Sequence, residues 1–490
     1  MELRETSTQL RDGTLPIMFG ALVLAVFAAP VVSSEPVLTG AFAVAAGLFA
    51  LVVVRPIAAA YLMIGLSPLL VGIERGSILP LLRPNEALAM VVGSALLTRG
   101  FFTFAAGRPL RLHLPPVDLS LLALAISGSV LPLLWMVARG KSVEQDDLLY
   151  AVVLWKYYAL FLIVRAGVRR TEDVSRCLWV AIASGSLIAL AGILQALGLS
   201  GVDVLLARLY ESGETYNRAS STFGQTQGLG DVMIFNPAIV GALLLRTRAP
   251  RTLLLPAGIL FLFGTLASGQ FSVVIALAVA AVAFGSVVDR LGRVLLAFLP
   301  TAVVGLFVLR PVVEGRLSGF DDEAGIPYSW SARLTNLQDY FWPEIVADFN
   351  WLLGVRTAAR VIDPSAYYGV VWIESGHTWL LWTGGVPFFA CFFIFLWVTM
   401  RTVARVARAR RDSVGSAALA AFAALTVVAV GMVFDPHLTL RGTADLLFPL
   451  LALACAPIAI AELPAAALTA PPTAPAMAER AFKRARLREA

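Results

Sequence analysis

The sequence predicts an all-α polytopic membrane protein of about 14 transmembrane helices, with one long loop outside the membrane. Three observations predict this. Of 490 residues, 59% are hydrophobic and 14% charged, whereas a soluble globular protein carries roughly a quarter charged residues. The mean hydropathy is +0.81. Long apolar runs also recur along the chain without the alternation of barrel strands, leaving helices as the structures that satisfy their backbone in lipid.

Met1 to Thr14 is polar and carries Arg4 and Arg11. Leu15 to Ser33 is too long for a signal-peptide core and reads as an uncleaved first span. Further runs follow at about 37–54, 56–73, 86–98, 117–137, 148–167, 177–198, 228–246, 252–268, 271–288, 293–310, 378–400, 416–434 and 443–461. The organisation that results is a helical region over 1–310 with a loop at 199–227, a long loop at 311–376, helices over 377–462 and a tail at 463–490. Leu463 to Ala478 is an Ala/Pro linker, and Glu479 to Ala490 is basic, suited to anionic lipid.

Orientation follows from Lys and Arg placement. With both termini in the cytoplasm, Arg55, Arg99, Arg108, Arg111, Arg165, Arg169, Arg170, Arg246, Arg251, Arg290, Arg401 and Arg410 all fall on the cytoplasmic side, as do most of the 38 basic residues. The net charge of +6 and pI of 9.4 are therefore a topology signal, and nucleic acid is not an expected partner. The loops at 199–227 and 311–376, Ser268 to Gln270, and Asp435 to Thr443 then lie outside. Cys177, Cys391 and Cys455 sit in or beside apolar runs, without metal-ligand spacing or a disulfide framework, and read as buried free thiols. There is no nucleotide-binding loop, no HExxH and no GxSxG. No internal repeat is visible, which weighs against an inverted-repeat transporter.

The polar interval from Leu309 to Trp379 holds Arg310, Arg316, Arg333, Arg356 and Arg360, and a set of Trp and Tyr residues. Ordering so long a loop costs entropy that a function must offset. Its final residues, Glu374-Ser-Gly-His377, open a span. His377 is a candidate catalytic base, because imidazole transfers protons near neutral pH, with Glu374 three residues before it. The bland alternative is an interfacial structural histidine. Tyr216 to Asp231 is a second constellation, in which Arg218 precedes a Gly- and Ser-rich stretch that lets backbone approach an anion. Trp330 to Trp342 reads as an amphipathic surface helix bearing Arg333. Arg218 and Arg333 are candidate phosphate ligands, since guanidinium grips phosphate in a two-point fork. Arg356, His437 and Arg441 are secondary candidates on the same side, and His113 reads as a cytoplasmic loop residue. Lys156 lies deep in a span, where it could meet a lipid-borne phosphate, pair with Asp231, or snorkel outward.

In the order of these features the chain resembles the O-antigen polymerase and O-antigen ligase superfamily of bacterial membrane glycosyltransferases. The likeness runs over about 210–400. It comprises Arg218 to Gly224 before a span, Ser268-Gly269 between two closely joined spans, Arg333 to Trp342 in the long loop, the step Gly354 to Arg356, and His377 to Gly385. The family often has Asn-Pro where this chain has Gln225 to Gln227, and Asn where it has Thr378. The resemblance implies a GT-C-type fold in the bacterial inner membrane, with the active site on the periplasmic face. It implies a donor glycan on undecaprenyl pyrophosphate, held by Arg218 and Arg333, with His377 as base and neither cofactor nor metal. The expected reaction is polymerisation of lipid-linked repeat units, for O-antigen, capsule or exopolysaccharide. The alternatives are ligation to lipid A core or another acceptor, and transport of the lipid-linked glycan. A flippase and a chain-length regulator are the expected protein partners.

Overall fold

The computed structural model describes residues 36–77, 82–107, 114–210, 218–288, 328–364 and 369–461, with scattered helical positions from 292 to 314. The first apolar run, His113, most of the 293–310 run and the C-terminal tail lie outside the described residues. Among the described residues, seven helices are long and apolar enough to cross a membrane, and five more are apolar but shorter. The only sheet among them is a two-stranded antiparallel ribbon, Arg360–Ile362 against Val370–Trp372.

The helices differ sharply in depth. The most apolar window of Thr226–Arg246 is 83% buried within the protein and that of Ser413–Gly431 is 78% buried, against 17% for Pro84–Ala105. The first two are therefore the bundle's core, and the third faces the lipid. The core tolerates breaks only where a neighbour completes the hydrogen bonding. Pro237 cannot donate to the Met233 carbonyl four residues back, and Thr265 Oγ1 donates to it instead at 3.2 Å. The run at 56–73 is helical but carries a π turn at Leu62–Leu66, where Ser184 Oγ donates to the Gly65 carbonyl at 2.7 Å.

The two ends of the bundle are chemically unlike. At one end, Arg246 donates to the carbonyls of Ala407, Arg410 and Gly415, closing the last turn of Gly376–Ala409, and Ser413 Oγ donates to Thr171 O. This basic end carries Arg169, Arg170, Arg410 and Arg411. The opposite end carries the segment 328–362, the ribbon, and the turns at 218–225 and 432–442.

The described part of the long loop, 328–364 and 369–376, is docked on the bundle. Its expected surface helix spans Tyr328–Asn336, continues through a π turn and ends at Val346. Val355 N–H donates to Trp382 O at 2.7 Å, and Trp382 Nε1 returns a bond to Ala358 O at 2.9 Å. This seating requires glycine on both sides. A Cβ on Gly354 (φ +96°) would come within 2.4 Å of Thr383 O, and one on Gly385 (φ +61°) within 2.6 Å of the Leu352 carbonyl. Gly385 has φ 61° and ψ −156° inside Gly376–Ala409, a conformation open essentially to glycine alone.

Gly385→Ala is expected to lower stability by at least roughly 1–3 kcal/mol from backbone strain alone, read as thermal unfolding of the purified protein in detergent. Gly47→Ala, with nothing within 4 Å of the added Cβ, is expected to leave stability unchanged or slightly raised. Equal behaviour of the two variants would contradict this account of the loop's seating.

Candidate functional site

The turn at 432–442, between Ser413–Gly431 and Thr443–Ala454, is where the candidate residues meet. Its Asp435 accepts from Arg333 Nη1 at 3.1 Å, and its Phe434 carbonyl accepts from the same nitrogen at 3.3 Å. Arg333 Nε lies 3.3 Å from Glu374 Oε1. One guanidinium thus joins the surface helix, the start of the His377 helix and the turn. The tilted contact of Trp330 with Phe434, at 5.3 Å between ring centroids, seats that surface helix. Burial, with Asp435 nearby, holds the Glu374 carboxyl above its ordinary range despite Arg333.

His377 opens the span Gly376–Ala409, whose first turn is capped by Ser375 Oγ accepting from Thr378 N–H at 3.3 Å. Its own N–H donates to Met432 O at 3.3 Å, tying it to the same turn. Gly376 permits the approach, since a Cβ there would meet Met432 Sδ at 2.6 Å. The half-buried imidazole stacks on Phe393, with ring centroids 6.3 Å apart. Thr378, where the resembled family often has Asn, accepts from Trp342 Nε1 at 3.2 Å and so docks the end of the surface helix.

Arg218 is half-buried on a segment that packs against the far end of the turn. Ala219 N–H donates to Ala267 O, a Cβ on Gly442 would strike the Phe223 ring at 2.8 Å, and one on Gly228 would strike Arg441 O at 2.1 Å. Arg333, Glu374 and His377 therefore gather directly around the turn, and the Arg218 segment adjoins it through Phe223 and Gly228.

Two sequence expectations are redirected by the geometry. Arg356 does not join this cluster. Its fork grips Asp147 (2.7 and 3.1 Å), with Glu144 at 3.1 Å, and these carboxylates raise its already high pKa. Asp147 also accepts from Thr357 Oγ1 and from Ala358 N–H at 3.0 Å, so the step at Gly354 to Arg356 latches the loop to the start of Gln145–Gly167. Lys156 does not meet Asp231; its Nζ sits 4.4 Å from the Tyr157 ring centroid. Asp231 instead pairs with His437, Nδ1 to Oδ2 at 2.6 Å, and accepts from Thr443 Oγ1 at 2.7 Å. His437 is 2% and Asp231 0% exposed.

The Asp231–His437 pair and the Asp435–Arg333 contact escape sequence reasoning. The available signal was an acid in the first turns of an apolar span, which demands a partner. Burial opposes charge on His437, but the Asp231 carboxylate outweighs it, with Asp435 adding to its effect and Arg333 opposing it, so the imidazole pKa is raised. Among the described residues, His437 Nε2 and Asp231 Oδ1 are buried without a hydrogen-bond partner. No group of three or more His, Cys, Asp or Glu residues among them is arranged to hold a metal ion.

Compared with models of known protein families the chain matches none, and a search of curated proteins finds no match.

The raised pKa has a sign that can be measured. A His whose folded pKa exceeds its ordinary 6.5 stabilises the fold fully below pH 6.5 and loses that contribution as pH rises through the folded value. The unfolding temperature of the wild type is expected to fall across this window, and Asp231→Asn to flatten the fall. Parallel profiles for the two proteins would show that the pair is not ionised.

Proposed function

We propose that this protein is an extracytoplasmic glycosyltransferase that joins glycan repeat units carried on undecaprenyl pyrophosphate. The observation that carries the reading is the gathering of Arg333, Glu374, Asp435 and two histidines, from segments far apart in sequence, at the loop-bearing end of an apolar bundle. The order of motifs that resembles the polymerase and ligase superfamily supports the same reading. The loop-bearing end then faces the periplasm, and the basic end the cytoplasm, in keeping with Lys and Arg placement.

In this reaction a sugar hydroxyl of one lipid-linked unit attacks the anomeric carbon of another. The new carbon–oxygen bond forms as the bond from that carbon to the pyrophosphate oxygen breaks. The pyrophosphate leaves with the bonding electrons, still attached to its lipid. The hydroxyl proton passes to His377. Pyrophosphate is a good leaving group once its charge is held, so a single base is enough and no general acid is needed.

Arg333 stands between two carboxylates, so an incoming pyrophosphate exchanges with one of them. Glu374 is the one positioned to yield. It is about one-third exposed, whereas the Asp435 side chain is 10% exposed, and its raised pKa favours taking up a proton when the guanidinium turns to phosphate. Arg218 supplies the second fork from the adjoining segment.

Glycan length in a deletion strain complemented with variants tests these roles. Arg333→Ala and Arg218→Ala are each expected to lose roughly 1.5–3 kcal/mol of interaction with the leaving group, with Lys rescuing poorly because the fork is lost. Near-normal polymer from both Lys variants would remove the phosphate role.

His377→Ala is expected to insert normally yet lose about a hundred- to ten-thousand-fold in rate. His437→Ala should retain more. Equal residual activity at equal membrane abundance would defeat the assignment of the base to His377, and a more severe His437 defect would move it to the 432–442 turn.

A further inference from the structure

The proposed reaction leaves one buried feature without a task, the pairing of Asp231 with His437. Asp231 lies near the start of Thr226–Arg246, in the most deeply buried helix. An ionisable pair at this depth in an apolar bundle is expensive and requires a return. Its place in the fold shows what it holds. His437 packs flat on Gly431, where any Cβ would come within 2.7 Å of the ring. Its backbone N–H donates to Asp435 O at 2.7 Å. The same residue, Asp435, takes Arg333 through its carboxylate at 3.1 Å. A continuous chain of contacts therefore runs from the core helix through His437 and Asp435 to Arg333, and ends on Glu374 beside His377.

The turn has other ties: Tyr157 Oη donates to Thr439 O at 3.4 Å and Gly228 packs on Arg441 O, both nearer its far end, and the remaining ones are lateral. Met432 O holds His377 N–H, and Phe434 packs at a tilt against Trp330. Those lateral contacts join the turn to the parts it must position. The contact of Asp231 and Thr443 with His437 and its flanking helix joins it to the frame. Among these ties, that contact is the one made by His437 itself, two residues from the Asp435 that takes Arg333.

We propose that Asp231 and His437 are positioning residues that anchor the 432–442 turn and, through Asp435, fix Arg333 relative to His377. This rests on the proposed function for its catalytic consequence, but the mechanical coupling stands apart from it. The conservative replacement is informative. Asparagine places an amide donor near the position of imidazole Nδ1, so His437→Asn keeps a hydrogen bond to Asp231 without the charge, whereas His437→Ala removes it.

Hydrogen–deuterium exchange of the full-length protein in detergent reads the coupling without any ligand. In His437→Ala, and in the volume-conserving Asp231→Asn, exchange is expected to rise in 432–442 and in the Arg333 helix Tyr328–Asn336. His437→Asn should recover much of the protection. A rise confined to the turn, or spread evenly over the protein, would overturn the proposal.

The second arm is glycan elongation at matched membrane abundance. His437→Ala and Asp435→Ala are each expected to slow it about tenfold or more, with the double variant no slower than the worse single, because both act through one path. Strictly additive losses would overturn the coupling. Coupled exchange in a wild type that elongates no lipid-linked glycan would reject the proposed function and leave the positioning role supported. Normal elongation with exchange confined to the turn would do the reverse.

Discussion

The loop-bearing end of this molecule depends on one guanidinium. Arg333 meets Glu374 at 3.3 Å and Asp435 at 3.1 Å, and so joins three segments with no local reason to be together. Such a shared arginine is a strut, and in the proposed reaction it also serves as a phosphate ligand. Its two carboxylates satisfy it, and under the proposed reaction a phosphate would replace the more exposed of them without leaving a buried charge unpaired. The pair beneath it, Asp231 with His437, works under a harder constraint. In an apolar bundle a fully buried carboxylate persists only with partners, and Asp231 draws them from the turn and from Thr443.

How much of this was legible in the sequence differs by level. The helices were, because an apolar run long enough to cross a bilayer has few other solutions. Every described run appears as helix, including the broken one around the π turn at Leu62–Leu66. The surface helix bearing Arg333 was legible too, from its aromatic and charged spacing. Side-chain pairing was not. Nothing local distinguishes Arg356, spent on Asp147, from Arg333, held at the turn. Lys156 and Asp231 looked complementary as two charges in spans, yet Asp231 pairs with a histidine more than 200 positions later in the chain. Such partners are set by how the helices stack, which hydropathy does not encode.

The glycines show the same division. Gly354 and Gly385 were visible as parts of motifs, but their physical reason emerges only in three dimensions. They allow the loop backbone to lie against the first turns of the His377 helix, with Trp382 and Ala358 exchanging contacts across the joint. Arg356 then latches the loop on its other side. The described part of the loop is thus held at both margins, on the His377 helix and on Asp147.

The account is tested most directly with the purified wild-type protein in detergent, an oligosaccharide repeat linked to undecaprenyl pyrophosphate, and a chelator of divalent metals. It predicts longer lipid-linked glycans and one undecaprenyl pyrophosphate released for each linkage formed, with no gradient supplied. Unchanged glycan length with no pyrophosphate lipid released, from protein that moves the intact lipid-linked glycan across a reconstituted bilayer, would contradict it.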